Sequence, residues 1–554
     1  MNYTNITGYM RKLVFFSGVV CLGGCSLDRF PESQFTDAAF WNTETDLINA
    51  TNRHYQLLAG FQLDNRADDN VNQTANSTSN GTRNVPATST DWSNAYRDIF
   101  TANNILQKGM KAQVPDEIKN RYFGEARFFR AIAYFGLVQK YGDVPLVLET
   151  LDIDSPELSM PRTPKAEVIR AIYEDLDFAA QWLPGHRQLP AAQYGRVTKS
   201  SALALKARVA LYVGTRAKFH NEGDWQSHLN LAVQAAQAVI AQGHQLYPSY
   251  HGLFQHEAEG PSNTENIFVK IYGVSVSNLI VGHGYSRDLE NGRTAPTRNL
   301  LRQYLYTDGL PAFDGKNQPS AARSAFFVEE KDESSYNTIF ENRDPRMTMT
   351  LFKAGDEAYK GPWIPTTTLG SRTAYAARKG FNLTDWQTTG SGTVDKILIR
   401  YAEVLLIYAE AKYELEGSLS DADLDLTVNA LRQRAGFNAR LTNAFAAANH
   451  LDMRDEIRRE RTVELALEGF RYDDLIRWKT AEVLLSGQLL GAKFVAADWP
   501  GADPSTLRIN GNGVLVTEDT NVRSFKPERD YLYPVPLQEI TLSGGNVTQN
   551  PNWQ

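Results

Sequence analysis

The stretch Ile457–Trp478, IRRERTVELALEGFRYDDLIRW, carries five arginines and five acids in 22 positions. Glu460, Glu464 and Glu468 recur every four residues, so they share one face of a helix. Arg461 precedes Glu464 by three and Glu468 precedes Arg471 by three, which lets each pair meet along that helix. Val463, Ala466, Leu467 and Phe470 mark an apolar stripe on another face. Gly469 is placed to interrupt the helix, and Asp473–Asp474 to open a second one. A charged helix is ordinarily a salt-bridged surface helix. Here the charges balance while aromatic and aliphatic residues crowd among them. That pattern predicts a partly buried ion network that fixes how helices pack, an architectural role without a catalytic acid–base pair.

Outward from this stretch the chain is rich in helix signals. Asp395–Gly417, DKILIRYAEVLLIYAEAKYELEG, reads as strong helix. Ser420–Phe437 follows, with Asp421, Asp423 and Asp425 in the spacing of a calcium loop. Leu426 stands where such a loop needs Gly, and Arg432 where it needs Glu, so a helix start stabilised by acids is the expected outcome. Gly124–Val147, GEARFFRAIAYFGLVQKYGDVPLV, predicts a long amphipathic helix stopped by Gly142 and Pro145. Further helices are expected at Lys165–Leu183, Ser200–Arg216 and Leu229–Gly243. The last two are rich in alanine, whose small size lets helices approach closely. Thr43 or Thr45 caps an earlier one. From His251 to about Val394 this rhythm fades into Gly, Pro, Asn and short strand-like runs such as NIFVKIYG. In the tail, Asn510-Gly511 or Asn512-Gly513 marks a hairpin turn. The fold class is mainly α. Degenerate helix pairs form a core at roughly 36–250 and 395–480, with an irregular loop-rich lobe and short β-hairpins at roughly 251–394 and 481–554.

Composition sets the compartment. The 554 residues are 42% apolar and 22% charged, ordinary for a folded protein, and the net charge of −7 with no basic stripe excludes a nucleic-acid binder. Met10-Arg11-Lys12 leads into LVFFSGVVCLGG and then Cys25. That apolar run is shorter than the roughly 20 residues a membrane span needs, so residues 1–24 read as an export signal. Leu22-Gly23-Gly24-Cys25 resembles a bacterial lipobox, in which Cys25 is lipidated. The other cysteine, Cys21, lies inside the signal, so the mature chain forms no internal disulfide.

Asp64–Trp92 is rich in Asn, Thr and Ser and nearly free of apolar residues. A loop that long is functional or mobile. Its amides and hydroxyls suit a polyhydroxylated ligand, although a plain surface loop has the same composition. Trp92 borders the loop at the start of a helix and shares a face with Tyr96. Its ring suits the apolar side of a sugar. Tyr285, Trp363, Tyr375 and Trp386 are loop aromatics that either complete such a platform or, as is commoner, pack. There is no G-x-S-x-G, H-E-x-x-H or P-loop. His251 and His256 beside Glu257 and Glu259 match no metal spacing. Carboxylates are plentiful, and none is marked as a glycosidase pair.

Several stretches together resemble the SusD/RagB family, the surface nutrient-binding lipoproteins of Bacteroidetes. They are Ile457–Trp478, Gly124–Val147, the C-x-L-D-x-x-P start at Cys25 with its following F-W-x-T, APTRNLLRQYLYTDGLP, Asn342–Met347 (NRDPRM) and the tail DYLYPVPLQEITLSGGNVTQNPNW. The resemblance implies tetratricopeptide-like helix pairs and a single domain over 25–554. It implies a lipid anchor on the outer face of the outer membrane, a SusC-like TonB-dependent transporter as partner, and an oligosaccharide as ligand. Family members often carry an acidic pair near the ligand. Asp68-Asp69 after Arg66 resembles it, which makes Asp68, Asp69, Trp92 and Arg66 the ligand-binding candidates. No enzyme activity or cofactor is implied, and a structural calcium is left open. RagB-like peptide capture is the alternative, with a surface glycoside hydrolase behind it.

Overall fold

A computed structural model describes residues 40–61, 64–273, 282–366 and 371–553. The expected export signal, residues 1–24, and Cys25 lie outside the described residues. Six long helices open the described chain: α1 (Glu44–Leu57), α2 (Thr90–Lys108), α3 (Asp116–Tyr141), α4 (Lys165–Trp182), α5 (Lys199–His220) and α6 (Trp225–Ile240). From α1 to α6 each packs on the next, α6 packs in turn on the helix Tyr401–Glu416, and that helix packs on Met453–Glu464. Thr43 caps α1 in a reciprocal box with Asp46. The fold is mainly helical, as the sequence implies.

α3 departs from its expected form. It starts at Asp116, where Asp116 and Glu117 supply first-turn acids, and it ends at Gly142, whose φ of 73° is a left-handed turn. It is buried on nearly every face, through Phe128, Phe129, Tyr134 and Leu137 among others, so it is the central helix and not an amphipathic one. Arg130 joins it to α4 by a two-pronged pair with Asp175 at 2.8 and 2.7 Å. α5 meets α6 at Gly214, where an added Cβ would stand 2.8 Å from Leu229 Cδ2. The small-residue spacing has that close approach as its physical reason.

Asp395–Gly417 is also corrected. Lys396–Arg400 is a strand, antiparallel to Asn266–Lys270, and the helix starts only at Tyr401. The run KILIR is β-branched on alternate positions, and the partner strand NIFVK decides its state. Leu489–Lys493 pairs with Val514–Glu518, and the turn between Asn510 and Gly513 closes on Gly513 N–H to Asn510 O at 2.9 Å. Ser420 caps a short helix at Asp421–Leu424, so the aspartates there start a helix. A second apolar core unites Leu300, Tyr304, Phe352, Trp363, Tyr375 and Trp499. Among the described residues no helix is long and apolar enough to cross a membrane.

The signature stretch is where the two regions meet. Its first helix ends at Glu464, earlier than Gly469, and the second runs Arg471–Arg477. The expected pairs within one helix do not form. Arg461 binds Asp474 at 2.8 Å and Arg471 binds Asp68 at 2.8 Å. Glu460, Glu464 and Glu468 instead face cations from elsewhere. Arg346 reaches Asp344, Glu460 and Glu464, while Arg400 reaches Glu265, Glu464 and Glu468. Arg432 binds Glu460, Arg434 binds Glu265 and Glu464, and Lys379 binds Glu468. Five acids thus meet five cations in the interior. Burial raises the Glu464 carboxyl, but Arg434, Arg400 and Arg346 together outweigh it and hold it well below the usual range. The partners come from four separate segments, so no local spacing could have named them.

Candidate functional site

The polar loop is held down from below. Asp69 O accepts Thr297 N–H at 2.9 Å, and Asn70–Val71 pairs with Ala295–Pro296. Ser79 donates to Ala67 O, and Ser524 N–H donates to Asn80 O. At Gly81, φ is 74° and a Cβ would fall 1.8 Å from Ser524 O, so only glycine fits. Many of the loop's amides serve the loop itself. Asn76 Oδ1 accepts Thr78 and Ser79 N–H, and Asn80 Oδ1 accepts Thr82. The loop meets solvent first at Gln73–Ala75 and Ser77, and again at Thr82, Asn84, Ala87 and Thr88.

Three of the four candidate ligand residues lie in the first part of this loop. Asp68 is 1% exposed, and Arg471 holds both its oxygens at 2.8 and 3.2 Å. Asp69 is 5% exposed, and burial pushes its carboxyl up to about 7, with the neighbouring Asp68 charge adding to the shift. Arg66 forks onto Asp64 at 2.8 and 2.8 Å and lies over the Tyr472 ring at 4.5 Å. The structure places the three close together, with both acids buried and Arg66 partly exposed, where they anchor the loop. The physical reason is the placement of Arg471 and Tyr472 under the loop.

Trp92 lies elsewhere, in the first turn of α2. It is 4% exposed, with Tyr96 at 5.3 Å and Tyr141 at 5.0 Å between ring centroids. It therefore offers no flat face to solvent. What it does form is one wall of a cleft of about 580 Å³ between α2, the segment 145–160 and the C-terminal stretch 538–547. The cleft is mostly apolar, through Tyr96, Phe100, Leu158, Met160 and Leu542.

Of the loop aromatics, Tyr285, Trp363 and Tyr375 are buried packing residues. Trp386 is the half-exposed one. It sits on the short helix Leu383–Gln387, beside the helix Tyr285–Glu290. The Arg287 guanidinium lies over the indole, 3.9 Å from its centroid, and the indole N–H donates to Glu290 Oε2 at 2.7 Å. Arg287 also binds Glu290 at 3.1 Å, and the largely exposed Lys360 stands 3.8 Å from the same carboxylate. The loop comes close to this ensemble, since Gln73 donates to Asn291 O just past the helix.

The base of this platform is stiff. Asp385 accepts Thr393 and Val394 N–H at 3.0 Å each and faces His256 Nε2 at 3.1 Å. Behind it, burial and then the Glu259 charge push Asp395 up to about 7. Such anchoring fixes the position of the aromatic and of its polar edge. The role of Arg287 and Glu290 is not legible in the sequence. Their spacing marks a helix pair, but nothing links them to Trp386 about a hundred positions on.

A mainly helical scaffold thus carries a cleft beside Trp92 and a half-exposed aromatic at Trp386. Two family descriptions match: "SusD family" over residues 283–553, and "Starch-binding associating with outer membrane" over 41–211. SusD-like protein P2 of Formosa agariphila is 25% identical over 98% of this chain and 99% of its own length. A SusD-like protein of Bacteroides ovatus is 25% identical over 84% of this chain and 82% of its own. The crystal structure of a SusD-like carbohydrate binding protein from Bacteroides fragilis superimposes with a TM-score of 0.73 at 25% identity, covering 91% of this chain and 99% of that one. The chain belongs to the SusD/RagB family.

Proposed function

We propose that the protein captures an oligosaccharide at the outer face of the outer membrane and delivers it to a SusC-like TonB-dependent transporter. In this reading residues 1–24 are removed, Cys25 carries the lipid anchor, and 25–554 form one SusD-like domain. The observation that supports glycan capture most directly is the Trp386 platform. A sugar presents an apolar C–H face and a rim of hydroxyls. Arg287 covers one face of the half-exposed indole, so a sugar would stack on the part that Arg287 leaves uncovered, with Arg287, Glu290 and the exposed Lys360 at its rim for charge-assisted hydrogen bonds. The carbohydrate-binding relative from Bacteroides fragilis points the same way. Asp68, Asp69 and Arg66 then act at one remove, by holding the loop that flanks this face.

The protein binds in this scheme without cleaving. Calorimetric titration with plant, host and microbial oligosaccharides, followed by analysis of each recovered ligand, tests it. Uncleaved binding of one glycan class is the expected result. Binding of a peptide pool alone would move the protein to the RagB-like reading, and release of shortened sugars would make it a hydrolase.

A further inference from the structure

The cleft beside Trp92 has no part in the glycan reading, and its surroundings are unusual for a free surface. Phe100 is 53% exposed, Leu158 55% and Leu542 67%, and all three line it. The segments that line the cleft carry further exposed apolar residues, Leu148 at 46%, Ile153 at 90% and Leu537 at 51%. Single exposed apolar residues are ordinary, whereas several around one concavity mark a surface that is covered by a partner.

The charged side chains that line it, Glu149, Glu157 and Glu539, are all acidic. Glu149, Asp152, Asp154 and Glu157 are exposed on the segment that forms one wall, and Glu539 lies on the other. Among the described residues none of the five makes an ion pair, in a protein that pairs most of its buried acids. Carboxylates left without cations next to an uncovered apolar groove favour an occupant that brings both apolar side chains and basic groups. A sugar offers neither. A free cargo peptide would need only the groove, whereas here the segments that line it carry further exposed apolar residues.

We propose that this cleft is a docking site for a partner protein, which inserts a segment of apolar side chains flanked by lysine or arginine. Large side chains fill the groove between Phe100, Leu158 and Leu542, and the basic flanks meet Glu149, Glu157 and Glu539. The cleft shares no lining residue with the Trp386 platform, so a substitution in one leaves the side chains of the other in place.

Fluorescence anisotropy on the full chain tests this with two labelled peptides of identical leucine and phenylalanine content, one flanked by lysines and the other by glutamates. The lysine peptide is expected to bind, at least tenfold more tightly than the glutamate peptide, and less tightly as salt rises. Phe100→Asp and Leu542→Asp should each weaken it at least tenfold while leaving the thermal midpoint and glycan affinity unchanged. Leu158→Ser is the milder variant should either of those unfold. Equal binding of both peptides, no binding, or full binding by the variants overturns the proposal. So does a wild-type dimer in sedimentation that Phe100→Asp dissociates, since the occupant is then a second copy.

Discussion

Arg471 Nε stands 2.8 Å from Asp68 Oδ1, across 403 positions of chain. The contact joins the signature stretch to the polar loop, and both residues are largely buried. Removal of the cation leaves a buried carboxylate next to Asp69, which already resists ionisation. Arg471→Met should therefore destabilise the protein by about 3 kcal/mol or more, and should speed proteolysis within Asp64–Trp92. Denaturant unfolding and limited digestion of the same variant read the two effects.

The five-against-five ion cluster makes a sharper case. Arg400 touches Glu265, Glu464 and Glu468, each within 3.0 Å. Arg400→Met should cost about 3–5 kcal/mol in urea unfolding, because three buried acids lose a shared cation. Arg440→Met, which breaks the exposed pair with Asp425, should leave the urea midpoint unchanged.

Acid should act through the same kind of group. Glu410 is buried, which alone raises its carboxyl, but Arg477 outweighs burial and holds it down to about 2. The folded value lies below the ordinary one of about 4.3, so the unfolded chain takes up the proton first as pH falls. The stabilisation is complete above about pH 4.3 and is lost as pH falls through 2, on the order of 3 kcal/mol in all. The stability gap between wild type and Glu410→Gln should shrink across that window. A constant gap would contradict the pairing.

The helix layer offers a packing test. At Gly214 the nearest heavy atoms to an added Cβ are Leu229 Cδ2 at 2.8 Å, Cγ at 2.9 Å and backbone N at 3.1 Å. Gly214→Val gains a few tenths of a kcal/mol in helix propensity but forces α5 and α6 apart, which costs about 1–3 kcal/mol. Thermal unfolding should show a net loss.

These cases show where the sequence was legible. The helices α3 to α6 were visible because apolar spacing and Gly or Pro stops are local signals. The balance of charge in Ile457–Trp478 announced a buried network, but not its members, since Arg346, Arg400 and Arg434 join only in three dimensions. Lys396–Arg400 was misread as helix because a strand partner 130 positions away decides it. At the site, composition drew attention to the loop, and its acids turned out to face inward because Arg471 and Tyr472 lie beneath it. Trp386 stood among four loop aromatics, and only exposure separates it from the three that pack.

The central claim is that the Trp386 platform holds a glycan. Calorimetric titration of wild type and Trp386→Ala with the best oligosaccharide from the panel addresses it most directly. The account predicts at least a tenfold loss of affinity, about 1.4 kcal/mol, with the thermal midpoint unchanged. Equal affinity in the two proteins would place the ligand elsewhere on the molecule.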